Sequence, residues 1–278
     1  MPSGTIPSVA ELIRRDFPEL TRNERRAAQR LLTDYPVAGL DTVAKFGASA
    51  GVSAPTVLRM IGKLGFDSYG AFQAALRTEL AAQRETPLTK GEDIASSNDR
   101  LARFAEASIV NIRETVANIA PDEFEAIARL LADRNRPVHL LGGRFTDALA
   151  GYMTAHLRVM RPQVKQVAGQ QANWFDQMLD IGKRDVIILF DIRRYSDTIA
   201  ELAREAAGRG ATIILFTDQW LSPVSGVARH VLPARITAPS IWDSSGGLLL
   251  LVEALLSAVA RELGPGARDR LNAIEKMR

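Results

Sequence analysis

Cysteine is absent from the 278 residues, and only three are histidine. These absences exclude disulfides, thiol nucleophiles and cysteine-ligated zinc or iron–sulfur clusters, leave little for any other metal, and suit a reducing compartment. Charge of one sign is not in excess either. With 35 Lys plus Arg against 32 Asp plus Glu, the net charge of +3 does not by itself mark a nucleic-acid binder. Nor is there an apolar run of the roughly 20 residues that span a bilayer. The greasiest stretch, Leu248 to Val252 and Ala254 to Ala260, is broken by Glu253 and reads as a buried helix. Pro2, Pro7, Glu11, Arg14 and Arg15 interrupt the first fifteen residues, which therefore lack the apolar centre of a secretory signal. The expectation is a cytoplasmic protein with no cofactor, no metal and no membrane partner.

What is present suits a globular protein: 46% hydrophobic and 24% charged residues, over a length that fits two domains of about 100 to 200 residues each. Residues 8 to 83 read as short successive helices with Gly and Pro interruptions. The segment RETPLTKGEDIASSN, residues 84–98, loses apolar periodicity and reads as a connection. From Asp99, Leu101, Phe104, Ser108, Ile112, Val116 and Ile119 recur at spacings of three and four, one face of a long helix that needs a partner. Helical stretches then alternate with VHLLG (138–142), VKQVA (164–168), DVIILF (185–190), ATIILF (211–216) and a short strand near His230 to Leu232. Alternation of this kind predicts a doubly wound parallel sheet, and runs such as Val186 to Phe190 suit central strands covered on both faces. The fold expected is an all-α domain over residues 1–83 followed by an α/β domain over residues 99–278.

The sharpest local signal is TVAKFGASAGVSAPTVLRMIGKLGF, residues 42–66. Val43, Ala44 and Phe46 are expected to face a core, Gly51 to end the first helix in a left-handed conformation, Val52 to plug the turn, and Ser53 to cap a second helix from Ala54 to Lys63. This is the grammar of a helix-turn-helix. The second helix buries Val57, Ile61 and Leu64 and projects Ala54, Pro55, Thr56 and Arg59 toward a major groove, where Arg59 can offer a fork to guanine. Lys45, Ser53 and Lys63 are the candidates for phosphate. A generic helix pair with a convenient Gly-Val-Ser turn is the plainer reading. Upstream, Thr21-Arg-Asn-Glu24 reads as a capping box opening a further helix. The nearby arginines, from Arg14 to Arg30, are assigned to solvated surface.

LTRNERRAAQRLL, the turn segment above and SYGAFQAALRTELA together resemble the N-terminal domain of the RpiR family of bacterial transcription regulators, over roughly residues 5 to 85. That family joins the domain to a C-terminal sugar isomerase (SIS) domain, which residues 100 to 265 resemble. The resemblance implies pairing of SIS domains through helices, so homodimers or homotetramers are expected. The apolar faces of 99–119 and 243–263 are the candidate contacts.

Ligands of parallel sheets sit beyond the carboxyl ends of strands. Two loops there, Gly142-Gly-Arg-Phe-Thr146 and Asp191-Ile-Arg-Arg-Tyr-Ser196, are expected to border one crevice, with Pro239 to Ser245 completing it. Candidate effector contacts are Gly142, Gly143, Arg144, Thr146, Arg193, Arg194, Tyr195, Ser196, Asp243 and Ser244. Helix capping equally explains Thr146 and Ser196, and structural ion pairing the arginines. Trp242 is either a crevice wall or a core residue.

Sugar-phosphate-binding SIS domains are expected to carry a Gly-x-Gly-x-Ser-like and a Ser-x-Ser-Gly-x-Thr-like loop. Here Arg144 takes the second glycine position, and Asp191, Arg193 and Arg194 replace the serines and glycine. Three arginines can still hold a phosphate or carboxylate. No acid/base pair for catalysis stands out, since Glu253 and His156 qualify only by residue type. The expected activity is non-enzymatic: a regulator that binds double-stranded promoter DNA and responds to a small anionic metabolite. The alternative is a sugar-phosphate isomerase, or a ligand-binding protein without DNA affinity.

Overall fold

A computed structural model of the chain describes residues 7–84 and 99–277. Its N-terminal part consists of helices α1 (Val9–Asp16), α2 (Arg22–Thr33), α3 (Val37–Leu40), α4 (Val43–Ala50), α5 (Ala54–Lys63) and α6 (Tyr69–Arg84). Side chains close the helix starts. Ser8 and Glu11 form a capping box on α1, and Thr21 and Glu24 form the expected one on α2. The helices share a core built around Ile13, Leu31, Phe46, Val57, Met60 and Phe72. The expected connection over residues 84–98 lies outside the described residues, apart from Arg84.

The remainder begins with α7 (Arg100–Ala117) and α8 (Pro121–Ala132). It continues through β1 (Val138–Gly142), α9 (Asp147–Met160), β2 (Val164–Gln166), β3 (Val186–Phe190), α10 (Asp197–Gly208), β4 (Thr212–Asp218), β5 (His230–Ala234), α11 (Gly246–Leu263) and α12 (Pro265–Glu275). All five strands are parallel, in the order β2-β1-β3-β4-β5. Because successive side chains point to opposite faces, Val186, Ile188 and Phe190 join a core under α8, α9 and α11, whereas Ile187 and Leu189 join a second core under α10. Burial on both faces is why these strands read as unbroken apolar runs. The strand order reverses between β1 and β3, and the carboxyl edge at such a switch point is where parallel sheets form their ligand crevice. Among the described residues, no helix is long and apolar enough to cross a membrane.

Helix α7 turns an unexpected side inward. Asn111 and Thr115 are buried, with the Asn111 amide donating to the Thr237 carbonyl (2.7 Å) and the Arg235 N–H donating to the Thr115 hydroxyl (2.9 Å). Leu101, Phe104, Ile109 and Val116 stay exposed. Helix α11, in contrast, places Leu248, Leu251, Val252, Leu255 and Val259 in the chain's own core, so its apolar face is not available to a second subunit.

The two parts of the chain meet along the segment after β4. Leu221, with a positive φ of 59°, is buried in the core of the N-terminal helices. Ser8 Oγ donates to the Gln219 carbonyl (3.2 Å), and a Cβ at Gly226 would lie 2.8 Å from the Thr33 carbonyl oxygen. Glu11 of α1 accepts from Arg235 (2.5 Å), which also pairs with Glu114 of α7 (3.1 Å).

Candidate functional site

Two places carry the functional candidates: the exposed face of α5 and the crevice at the carboxyl edge of the sheet. At the first, Gly51 ends α4 with φ 64°, its N–H donating to the Ala48 and Gly47 carbonyls, as the sequence reading expected of a left-handed turn glycine. A Cβ on Gly51 would lie 2.4 Å from the Arg26 guanidinium. Arg26 of α2 therefore lies against the turn, although nothing in the local pattern separates it from the other surface arginines.

Ser53 occupies the N-cap of α5, and its hydroxyl engages Thr56 Oγ1 (3.0 Å). The exposed face of the helix holds Pro55, Leu58, Arg59, Gly62 and Lys63, while Ala54 is half-buried. Three expectations need correction. Thr56, expected to face the groove, is 5% exposed and accepts from Arg59 (3.1 Å), because a residue four before Met60 lies in the same inward column. Ala44, expected in the core, is exposed, since Phe46, Gly47 and Ala50 set the inward face of α4. Lys63, expected to meet phosphate, donates to the buried Glu24 carboxylate (2.8 Å) and the Glu19 carbonyl (3.0 Å). Lys45 stays exposed, 3.9 Å from Asp41. Leu58 was missed. At 45% exposure it is an apolar side chain on the face that carries Arg59, and its offset from the inward residues Val57 and Ile61 was the available signal.

At the crevice, three loops converge as expected. Gly142 closes β1 where a Cβ would sit 2.4 Å from the Asp147 nitrogen, so only glycine lets the chain turn into α9. Thr146 is buried. Its hydroxyl donates to the Phe190 carbonyl (2.8 Å) and accepts from the Gly143 N–H (2.9 Å), tying the first loop to the end of β3 rather than facing a ligand. Arg144 is exposed, its guanidinium 5.2 Å from the Phe145 ring centre. Phe145 in turn meets Trp242 edge-on at 5.6 Å. Phe145 (65% exposed) and Trp242 (54%) form an open aromatic wall, so Trp242 is not the core residue that was one of its two readings. Ser244 is held by its backbone, its N–H donating to the Ile236 carbonyl (2.8 Å), and its hydroxyl accepts from the Gly246 N–H (3.2 Å).

The second loop departs furthest from a phosphate cradle. Its amides are already satisfied by the chain's own carboxylates: the Ser196 N–H donates to Asp191 (3.2 Å) and the Arg193 N–H to Asp218. Asp191 also accepts from the Ser222 hydroxyl, and Asp218 from Tyr195 (2.7 Å) and the Trp220 N–H (2.9 Å). Burial pushes Asp191 up to about 7, and these hydrogen bonds only partly offset that. Asp218 is raised by burial as well, and Tyr195 is driven well above the usual phenol range by burial and by its carboxylate partner. Ser196 caps α10, accepting from the Ile199 N–H (3.4 Å), which was its plainer reading.

Arg193, with a φ of 55°, is only 7% exposed. Its guanidinium donates through two nitrogens to Asp243 (3.0 and 2.7 Å), donates through the third to the Ala82 carbonyl of α6, and stacks 4.4 Å above the Trp220 ring. Of the three arginines, Arg144 and Arg194 are exposed, whereas Arg193 is the structural ion pair that the sequence reading held open. The residue types posted for acid/base work pair elsewhere: Glu253, exposed on α11, accepts from Tyr152 (3.1 Å), whose ring packs 4.5 Å from His156.

Two family models match the chain: the helix-turn-helix domain of the rpiR family over residues 8–83, and the SIS domain over residues 130–258. An uncharacterized HTH-type transcriptional regulator of Haemophilus influenzae is 24% identical over 222 residues, which cover 78% of this chain and 76% of that protein. The sugar isomerase domain of an RpiR transcription factor from Sphaerobacter thermophilus superposes with a TM-score of 0.59 at 22% identity, over 63% of this chain and 97% of that one. The NanR protein of Vibrio vulnificus, complexed with ManNAc-6P, is similar over 96% of this chain and 97% of its own, with a TM-score of 0.56 at 16% identity.

Proposed function

Because the chain belongs to the RpiR family, an rpiR-type helix-turn-helix joined to a SIS domain, we propose that it is a transcription regulator that docks α5 on promoter DNA in the cytoplasm and senses a small anionic metabolite at the crevice. The observation that carries this reading is the exposed face of α5, where Pro55, Leu58, Arg59 and Gly62 stand clear beside the turn at Gly51. A helix whose outer face stays open while Val57, Met60 and Ile61 hold it to a core is the form that enters a major groove. Small residues at its start permit close approach, Arg59 offers donors to guanine, and Leu58 offers an apolar contact to a thymine methyl. Lys45 and Arg26 flank that face as phosphate contacts.

The metabolite is held by side chains in this reading. With the amides of Arg193 and Ser196 taken up by Asp218 and Asp191, an anion is recognised through the exposed Arg144 and Arg194, against the wall of Phe145 and Trp242. Guanidinium forks suit a carboxylate or a phosphate. The wall supplies flat apolar contact beside the charge.

A homodimer presents two copies of α5 to two half-sites, and the exposed stripe of α7 is the surface for pairing. Pairing of two such dimers gives the tetramer. Fluorescence anisotropy of labelled promoter DNA, with and without a panel of phosphorylated sugars and small carboxylates, tests the whole reading. Affinity is expected to fall steeply with salt, as counterions are released from the phosphates. A metabolite that raises the melting temperature is expected to alter DNA affinity by linkage. Turnover of hexose or pentose phosphates by a chain with no DNA affinity would replace this reading with the isomerase one.

A further inference from the structure

We propose that Arg193 is the latch between the crevice and the DNA-binding helices: its guanidinium clamps the last turn of α6, and an anion in the crevice releases that turn by taking the guanidinium for itself. The inference rests on the crevice being the metabolite site.

A guanidinium carries its five N–H donors in one rigid plane, so turning that plane toward a new acceptor moves all of them together. In this structure each of the three Arg193 nitrogens already donates, two to Asp243 and the third to the Ala82 carbonyl. Ala82 lies in the last described turn of α6. Thus one loop of the SIS domain, Asp191 to Ser196, holds the end of a DNA-domain helix through the Arg193 guanidinium.

The same loop borders the crevice. Asp243, the other holder of the fork, follows Trp242, which meets Phe145 beside Arg144. An anion drawn to Arg144 and Arg194 therefore arrives next to Asp243 with a competing negative charge. Turning the Arg193 fork onto the newcomer exchanges Asp243 for it and swings the third nitrogen away from Ala82.

The backbone supports a device rather than a passive contact. Positive φ in a side-chain-bearing residue is strained, and such residues collect where structure switches. Among the described residues three non-glycine positions have it, and two lie on this seam: Arg193 itself and Leu221, which plugs the core of the N-terminal helices. The Asp218 carboxylate accepts from the Arg193 N–H and the Trp220 N–H, so the loop bearing Arg193 and the segment bearing Leu221 are fastened to one side chain. Release at Arg193 is thereby coupled to the segment whose Leu221 fills the N-terminal core.

The chain has no cysteine, so a pair introduced at the exposed positions Ala81 on α6 and Glu201 on α10 can carry spin labels without background in the full-length protein. Pulsed electron resonance is expected to give one narrow distance for the otherwise unchanged chain. The same pair in an Arg193→Gln background is expected to give a longer, broader distribution. Asp243→Asn, which keeps the cation but removes half of its fork, should move the distribution part of the way. An unaltered distribution in both variants, each with a cooperative melting transition, would overturn the latch.

Citrate and glucose 6-phosphate are the probes for release. If either raises the melting temperature of the otherwise unchanged chain and also broadens the distance, competition for Arg193 is supported. A probe that raises the melting temperature yet leaves the distance fixed would sink the latch and leave the crevice as a binding site. If neither probe raises the melting temperature, the metabolite reading loses its support, while the two variants still decide the latch by themselves.

Discussion

Arg59 stands on the exposed face of α5, with its guanidinium donating to the buried Thr56 hydroxyl. Replacing it with alanine is expected to cost about 1–3 kcal/mol of binding to the specific promoter site, and less on random DNA, if its fork reads a guanine. Competition anisotropy on both DNAs measures the difference, and an equal loss would restrict Arg59 to the phosphates. Gly142 is constrained in the opposite way. Alanine there must displace the backbone at Asp147, so Gly142→Ala should lower stability in urea by about 1–3 kcal/mol, as overpacking does. Single residues also show where reading the sequence fell short. Thr56 was assigned by its place near the helix start, whereas the column Thr56, Met60 and Leu64 at spacings of four sends it inward. Arg193 could be read as ligand contact or ion pair because its carboxylate partners lie 25 and 50 positions away, at Asp218 and Asp243. No local pattern encodes such a pairing.

Elements were far more legible than side-chain partners. Strands β1, β3 and β4 were visible because a central parallel strand is a short apolar run bounded by turn residues, the edge strands β2 and β5 because they continue the alternation with helices, and the turn at Gly51 because a left-handed residue between two helices calls for glycine. The capping box on α2 followed from four letters. Its removal by Thr21→Ala should cost about 1 kcal/mol, detectable as a shift in the denaturation midpoint at unchanged slope. For α7 the period was right and the direction was not given: small and polar residues pack inward, and the apolar stripe points out. Charge placed in that stripe, as in the double variant Leu101→Lys and Phe104→Glu, is expected to weaken self-association at least tenfold by sedimentation without lowering the melting temperature of the monomer. A melting temperature that falls together with association would mean that the stripe packs within one chain.

At the scale of the whole molecule, the two domains share a buried ion pair between Arg235 and Glu11, and a second buried carboxylate lies near it within the first domain. Glu79 of α6 accepts from the Val9 N–H (2.7 Å) and from the Tyr35 hydroxyl, and burial pushes it up to about 7. The folded chain therefore keeps this proton through a range in which the unfolded chain has lost it, from the usual Glu value of 4.5 to about 7. Stability from this group falls as pH rises across that window and is level above it. Gln at position 79 can accept from Val9 and donate to the Tyr35 oxygen. Glu79→Gln should thus gain in melting temperature relative to the unchanged chain between pH 5 and pH 8. A difference that is constant with pH would show that Glu79 titrates normally.

Leu221 belongs by sequence to the second domain and by packing to the first. A fragment cut after residue 84 consequently keeps every helix of the DNA-binding half yet is left with an unfilled apolar socket. Such a piece should be short-lived against protease and prone to clump, and a peptide spanning residues 217–227 should rescue it by supplying the missing plug. The boundary that divides this gene product into modules is a seam of shared furniture, and swapping one half for a cousin's would require that the short stretch after β4 travel with the helices it fills.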